Sequence, residues 1–379
     1  MSALNNFYTT IHPRLLTGSA LASSAMSSST FPLWSGFSRH SVCVSNDECE
    51  NTQLNSMCQT FERPQACTQL TVDVYVNENN DKLDLLSESD LRDQSVALPS
   101  LLFVHGLSSN RSIFYSSAMR AKELGFSIAT MSLRGHAESS DVNHINPSMD
   151  DDSDLSVSQF SIDVLRVLKH LSGIWKNSPT ICVGHSYGGN VVLNLASLEG
   201  VDALLAGIVC VDGGYIHLQR KYQTLESCCR ALAPPNLAKF SHKSFVHMIR
   251  YEWLQGCEEE VVSSMLRNFL FREDGSVTSR VSLQTHMALL KNLYENPPRF
   301  DNIQVPVLLI PAGNGGETVF SCSVRDDIDR ALAVLKEQCV PCQVEWFAES
   351  SHDIPSRHGV QLVNAIYNSI CLGHFKRVL

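Results

Sequence analysis

Hydrophobic positions along the chain switch repeatedly between two periods. Residues 70–76 alternate apolar and polar side chains, which is the period of a half-buried strand. Leu83, Leu85 and Leu86 mark a candidate second strand within a polar stretch. Residues 101–104 form a short apolar run between Pro99 and Gly106, and 126–133 reads the same way. Between them, 112–124 predicts a helix that stops at Gly125. An acidic loop, Asp150 to Asp154, suits the positive end of a helix starting near Ser156, with Ile162, Leu165, Leu168 and Leu171 as its apolar stripe. Strand 179–183, helix 187–198 and strand 204–211 follow. Such alternation implies βαβ crossovers and a mostly parallel central sheet flanked by helices, an α/β fold. The alternation breaks over 214–300, where helix-like stretches, four prolines and few strand signals predict a helical insertion. It resumes with strand 305–310, helix 324–338, strand 343–347 and helix 359–371. The expected organisation is a core of 68–213 and 301–379 interrupted by an insertion of 214–300.

Residues 1–67 lack this patterning and are expected to lie outside the core as an extension. Residues 1–40 contain no Asp or Glu, are rich in Ser, Thr and Ala, and carry Arg14 and Arg39. That is the composition of an organelle transit peptide, and equally of an untargeted extension. The compartment expected is the cytoplasm, or a mitochondrion or plastid if the segment targets. The whole chain of 379 residues carries a formal net charge of −10, which disfavours nucleic acid as a partner. No apolar stretch reaches 18 residues, so no membrane span is expected. Of 13 cysteines, Cys43, Cys49, Cys58 and Cys67 lie upstream at spacings that match no zinc pattern. Free thiols are favoured for them with disulfides the alternative, and Cys339 and Cys342 read as a chance C-x-x-C. No metal or cofactor is implied.

Chemistry enters at Gly184-His185-Ser186-Tyr187-Gly188, a G-x-S-x-G stretch between an apolar run and a helical pattern. That context asks for a sharp strand-to-helix turn that lifts a serine hydroxyl above the sheet edge. The helix behind it aims free N–H groups at the site. An acyl-transfer reaction also needs donors for a developing oxyanion, and the N–H groups of Leu107, after His105-Gly106, and of Tyr187 are the candidates. A serine hydroxyl needs a general base. His352 follows the last expected strand and is the candidate, while His105, beside Gly106 at a strand end, reads as a structural histidine.

Together His105-Gly106, Arg134-Gly135-His136 with Ser139, the 184–189 turn and His352 resemble the α/β-hydrolase superfamily over 70–379. The resemblance implies an α/β-hydrolase fold, a cap at the insertion, a structural role for the Arg-Gly-His loop and a triad in the order serine, acid, histidine. Its usual acid position, three residues after Gly313, holds Gly316. Glu317 is one residue late. Asp212, at the end of strand 204–211 and followed by Gly213-Gly214, is favoured as the acid, with Glu317 the alternative. Some capped members, notably certain haloalkane dehalogenases, place the acid after this same strand. The expected function is that of an esterase-like serine hydrolase acting on a small ester or related acyl substrate through an acyl-enzyme. The alternatives are a carbon–carbon hydrolase, lyase or cofactor-free perhydrolase, or a ligand-binding receptor that retains the triad.

Overall fold

The computed structural model describes residues 33–44, 69–78, 98–137, 139, 155–313 and 318–375. Ten strands occur among them: β1 (Ser38–Cys43), β2 (Gln69–Tyr75), β3 (Ser100–Val104), β4 (Ile128–Met131), β5 (Thr180–His185), β6 (Leu205–Val211), β7 (Phe269–Phe271), β8 (Val277–Ser279), β9 (Val307–Ile310) and β10 (Cys342–Val344). Eight form one sheet in the order β1-β2-β4-β3-β5-β6-β9-β10. β2 pairs antiparallel with both β1 and β4, and every other pairing is parallel.

Strands β3 to β6 and β9 are buried along their whole length, which is why their sequences run apolar without a two-residue beat. Successive side chains still point to opposite faces. Leu102, Val104, Cys182, Ile208 and Cys210 join one core cluster with helices Val157–Ile174 and Tyr187–Ala196. Leu101, Phe103, Ile181, Val183, Val209 and Val211 join the other with helices Tyr115–Glu123 and Gly359–Cys371. Ser156 caps the 157–174 helix by accepting from the Gln159 N–H at 3.1 Å. The buried stripe of that helix is Phe160, Val164, Val167, Leu168 and Leu171, and Ile162 faces solvent. Positions 160, 164, 167 and 171 follow the helical period, and 162 lies off that face.

The start of the core and the state of Cys43 also differ from expectation. The core does not begin at residue 68: β1 pairs in register with β2, and Trp34 and Phe37 are buried against the second cluster, where Trp34 meets Tyr115 edge-on at 5.6 Å. Arg39 is part of this structure, because its Nε and Nη2 donate to the two oxygens of buried Asp73 at 2.7 and 3.0 Å. The same carboxylate accepts from the fully buried Arg111 at 2.8 Å, so each charge has a partner. Cys43 is disulfide-bonded rather than free. The candidate strand at Leu83, Leu85 and Leu86, the acidic loop Asp150 to Asp154 and Glu317 lie outside the described residues.

The 214–300 segment leaves the sheet after β6 and returns at β9. It contains helices Leu225–Ala231, His242–Met248, Glu259–Leu266 and Leu283–Glu295. It also contains the antiparallel hairpin β7–β8, which the helical expectation omitted. Phe245, Met248, Ile249, Leu254, Val261, Val262 and Val277 give this segment a core of its own.

Candidate active site

Parallel pairing of β3, β5 and β6 brings their carboxyl ends to one edge, and the site is built from the turns that leave it. Ser186 follows β5 with φ 54° and ψ −118°. This backbone is strained for a residue with a Cβ, at a cost of about 1–3 kcal/mol. Its own contacts hold it there: the Ser186 N–H donates to the Val211 carbonyl at 2.9 Å, and its carbonyl accepts from Gly189 N–H at 2.9 Å. The turn closes only around glycine. A Cβ on Gly184 would sit 2.1 Å from the Gly188 carbonyl oxygen, one on Gly188 2.3 Å from the Val104 carbonyl oxygen, and one on Gly213 2.1 Å from the Ser186 carbonyl oxygen.

Ser186, His352 and Asp212 come together. The Ser186 hydroxyl lies 3.0 Å from His352 Nε2, and His352 Nδ1 lies 2.6 Å from Asp212 Oδ2. Asp212 is buried in a left-handed turn at φ 41°. Its Oδ1 accepts from the Ala312 N–H at 3.1 Å and from the Tyr215 hydroxyl at 3.2 Å. Burial alone would raise the Asp212 pKa, yet the hydrogen bond and charge of His352 and the Ala312 amide hold it below the ordinary aspartate value. Burial works against protonated His352 too, but the Asp212 hydrogen bond and charge, with a smaller contribution from Asp353, raise its pKa above 6.5. A neutral His352 that donates from Nδ1 to Asp212 presents its Nε2 lone pair to Ser186.

Several residues around this relay were not singled out in the sequence. His185, inside the G-x-S-x-G stretch, lies 2.8 Å from the His352 carbonyl through Nε2 and donates to it, with the two rings 4.8 Å apart. Burial, and then the neighbouring His352, push its pKa down to about 3, so it stays neutral. Tyr215 stands three residues beyond Asp212, and Ala312 sits just after β9, directly before Gly313. Position alone could have flagged both.

At the other side of Ser186, Gly106 is so close that a Cβ on it would be 2.9 Å from Ser186 Cβ. In the next turn the Ser108 N–H donates to His136 Nε2 at 3.2 Å and the Ser109 N–H to the Gly106 carbonyl at 3.3 Å. The intervening Leu107 N–H makes no hydrogen bond among the described residues. Tyr187 opens the 187–196 helix directly after Ser186. His105 is tied at both ring nitrogens, with Nδ1 2.8 Å from the Gly106 carbonyl and Nε2 accepting from the Leu133 N–H at 3.0 Å. It is a structural histidine, as is His136, whose Nδ1 donates to the Arg134 carbonyl at 2.9 Å and whose pKa burial pushes down to about 4. Arg134 grips buried Asp163 through two bonds of 2.6 and 2.7 Å.

Comparison with known proteins agrees with this architecture. A sequence model of the alpha/beta hydrolase family matches residues 101–365. The mouse (Mus musculus) sn-1-specific diacylglycerol lipase ABHD11 is 24% identical over 282 residues, 71% of this chain and 82% of that one. Among solved structures, the peroxisomal alpha-beta-hydrolase Lpx1 of Saccharomyces cerevisiae superposes with a TM-score of 0.57 at 13% identity, over 89% of each chain. E-2-(acetamidomethylene)succinate hydrolase gives a TM-score of 0.55 at 17% identity, over 80% of this chain and 96% of that one. No helix among the described residues is long and apolar enough to cross a membrane, and none of their His, Cys, Asp and Glu side chains form a metal-binding group.

Proposed function

The chain belongs to the alpha/beta hydrolase family, and we propose that within it this protein is a serine hydrolase acting on a small ester or related acyl substrate. Ser186 attacks the acyl carbon as His352 Nε2 takes its proton. Asp212 holds the ring in the required tautomer and stabilises the imidazolium that forms. The N–H groups of Leu107 and Tyr187 receive the oxyanion. His352 then protonates the leaving group, and water, deprotonated by the same nitrogen, releases the acyl chain and restores Ser186.

The observation that carries this reading is the relay from Ser186 through both nitrogens of His352 to Asp212, at 3.0 and 2.6 Å, beneath a strained serine turn. Strain of that kind concentrates where chemistry is done. The likeness to a lipase in sequence supports an ester as the substrate class. The 214–300 segment serves as a cap, and its side chains select the acyl group.

A fluorophosphonate probe reacts only with an activated serine and tests the assignment directly. The wild-type chain is expected to be labelled on Ser186 and to hydrolyse short-chain p-nitrophenyl esters. Ser186→Ala is expected to lose both while keeping its melting temperature. Retention of esterase turnover by that variant would refute the assignment.

A further inference from the structure

The loop that follows β3 is gripped by the insertion as well as by the core. Ser108 has a left-handed backbone, φ 55°, and two donors. Its N–H donates to His136 of the core, and its hydroxyl lies 2.7 Å from Nδ1 of His286 in the insertion helix Leu283–Glu295. His286 Nε2 lies 3.0 Å from the Leu232 carbonyl. A carbonyl only accepts, so the ring proton sits on Nε2 and Nδ1 accepts from the Ser108 hydroxyl. Burial lowers the His286 pKa and keeps the ring in that neutral form. Two residues further on, the Asn110 side-chain amide donates to Asn268 Oδ1, also in the insertion and also buried. Asn110 Oδ1 in turn accepts from the Ser112 N–H at 2.7 Å. Leu107, between Gly106 and Ser108, packs against the apolar cluster of Leu218, Cys228 and Leu290 in the same insertion.

The left-handed conformation of Ser108 is one that a side chain adopts reluctantly. With its N–H held by His136 it fixes the Leu107–Ser108 peptide, and that peptide, together with the packing of Leu107, limits how the Gly106–Leu107 peptide, which carries the Leu107 N–H, can turn. Two neutral histidines, one from each part of the molecule, fix Ser108. We propose that His286 is a positioning residue that sets the Leu107 amide through Ser108, so that the insertion completes the oxyanion site as well as covering it. The proposal rests on the reading of Ser186 as nucleophile and Leu107 as oxyanion donor.

The test compares His286→Phe, which keeps a ring and loses both bonds, with Ser108→Ala, their double variant, and His286→Gln, whose amide offers both an acceptor and a donor. Each full-length protein is normalised by fluorophosphonate titration, so an unfolded fraction drops out. kcat and KM are measured with a p-nitrophenyl ester, and affinity with an aryl trifluoromethyl ketone, which forms a tetrahedral oxyanion on the serine. His286→Phe and Ser108→Ala are each expected to lower kcat about 10–100-fold with KM nearly unchanged, the scale of a misplaced oxyanion donor. The ketone should weaken by the same factor, the double variant should match the singles, and His286→Gln should recover most of the loss. The pH at which the acid side of the rate profile falls, set by His352, should not move.

A rise in KM at constant kcat would make His286 a substrate contact and overturn the proposal. So would an unchanged ketone affinity, or losses that multiply in the double variant. If the wild-type chain is neither labelled nor inhibited, the reading of Ser186 falls first and this inference with it. If the wild-type chain is labelled and His286→Phe is indistinguishable from it, this inference alone falls.

Discussion

Replacing Asp212 by Asn is the sharpest test of the relay, because the surroundings dictate which way the amide faces. Asp212 Oδ1 receives two donors, the Ala312 N–H and the Tyr215 hydroxyl. An asparagine has one acceptor oxygen and satisfies both donors by turning it toward them. Its NH2 then faces His352 Nδ1, where the wild-type carboxylate oxygen stood at 2.6 Å. The histidine is driven to the tautomer protonated on Nε2, and that nitrogen can no longer take the proton of Ser186. Loss of the carboxylate also removes the charge that stabilises the imidazolium. Together these should cost about 10^4 in kcat, or about 5.4 kcal/mol at about 1.36 kcal/mol per decade. The assay is stopped-flow hydrolysis of a p-nitrophenyl ester beside the pseudo-first-order rate of fluorophosphonate labelling. Adding Tyr215→Phe to the Asp212→Asn variant removes one of the two orienting donors and should recover part of the loss. The argument is refuted if Asp212→Asn stays within about tenfold of wild type, or if Glu317→Gln is the more damaging change.

Other consequences can be checked independently. His352 must be neutral to act as base and its pKa lies above 6.5, so the labelling rate should fall as pH drops through that raised value; in Asp212→Asn the fall should move to lower pH, as a pH series of labelling rates would record. Gly188→Ala pushes a Cβ against the Val104 and His105 carbonyl oxygens, both backbone, and should destabilise the chain by at least about 2–3 kcal/mol in urea unfolding. Trp34→Ala empties a buried aromatic site and should cost about 3–5 kcal/mol, so a chain beginning at residue 45 should melt below one beginning at residue 33.

What could be read in the sequence follows from how local each signal is. The Ser186 turn is written within six residues, because strand, glycines and helix must be contiguous to make it. Asp212 was legible for a similar reason: a strand end followed by two glycines announces a tight turn at the sheet edge. The central strands stood out because burial on both faces leaves an unbroken apolar run. β1 has the opposite character. It is an edge strand in which Val42 alone is buried, and its pairing partner lies beyond a long intervening stretch. Arg39 read as part of an extension, targeting or untargeted, because Asp73, which neutralises it, is 34 positions away. The β7–β8 hairpin carries an Asp274-Gly275 turn, but strands of three residues are too short to show a beat. His286 and Ser108 are 178 positions apart, and neither sits in a motif. Histidine on the inner side of a helix gives no sign of what it holds until the fold is known.

The insertion enters directly after Asp212, so it splits the proposed triad along the chain. Ser186 and Asp212 are made before it, and His352 after it. β9, which carries the returning chain, must slot in beside β6 across nearly a hundred residues. At about 5–20 residues per second the ribosome therefore holds a serine and an acid for several seconds with no base to activate them. The helix Gly359–Cys371 packs on the sheet face beside Phe375, so the support of that face is made later than His352 itself. On the proposed mechanism, a nascent chain that has not yet reached His352 carries no base and is expected to be inert. Two fragments cut within the insertion would likewise be inert apart, and the return of hydrolysis on mixing would report their reunion.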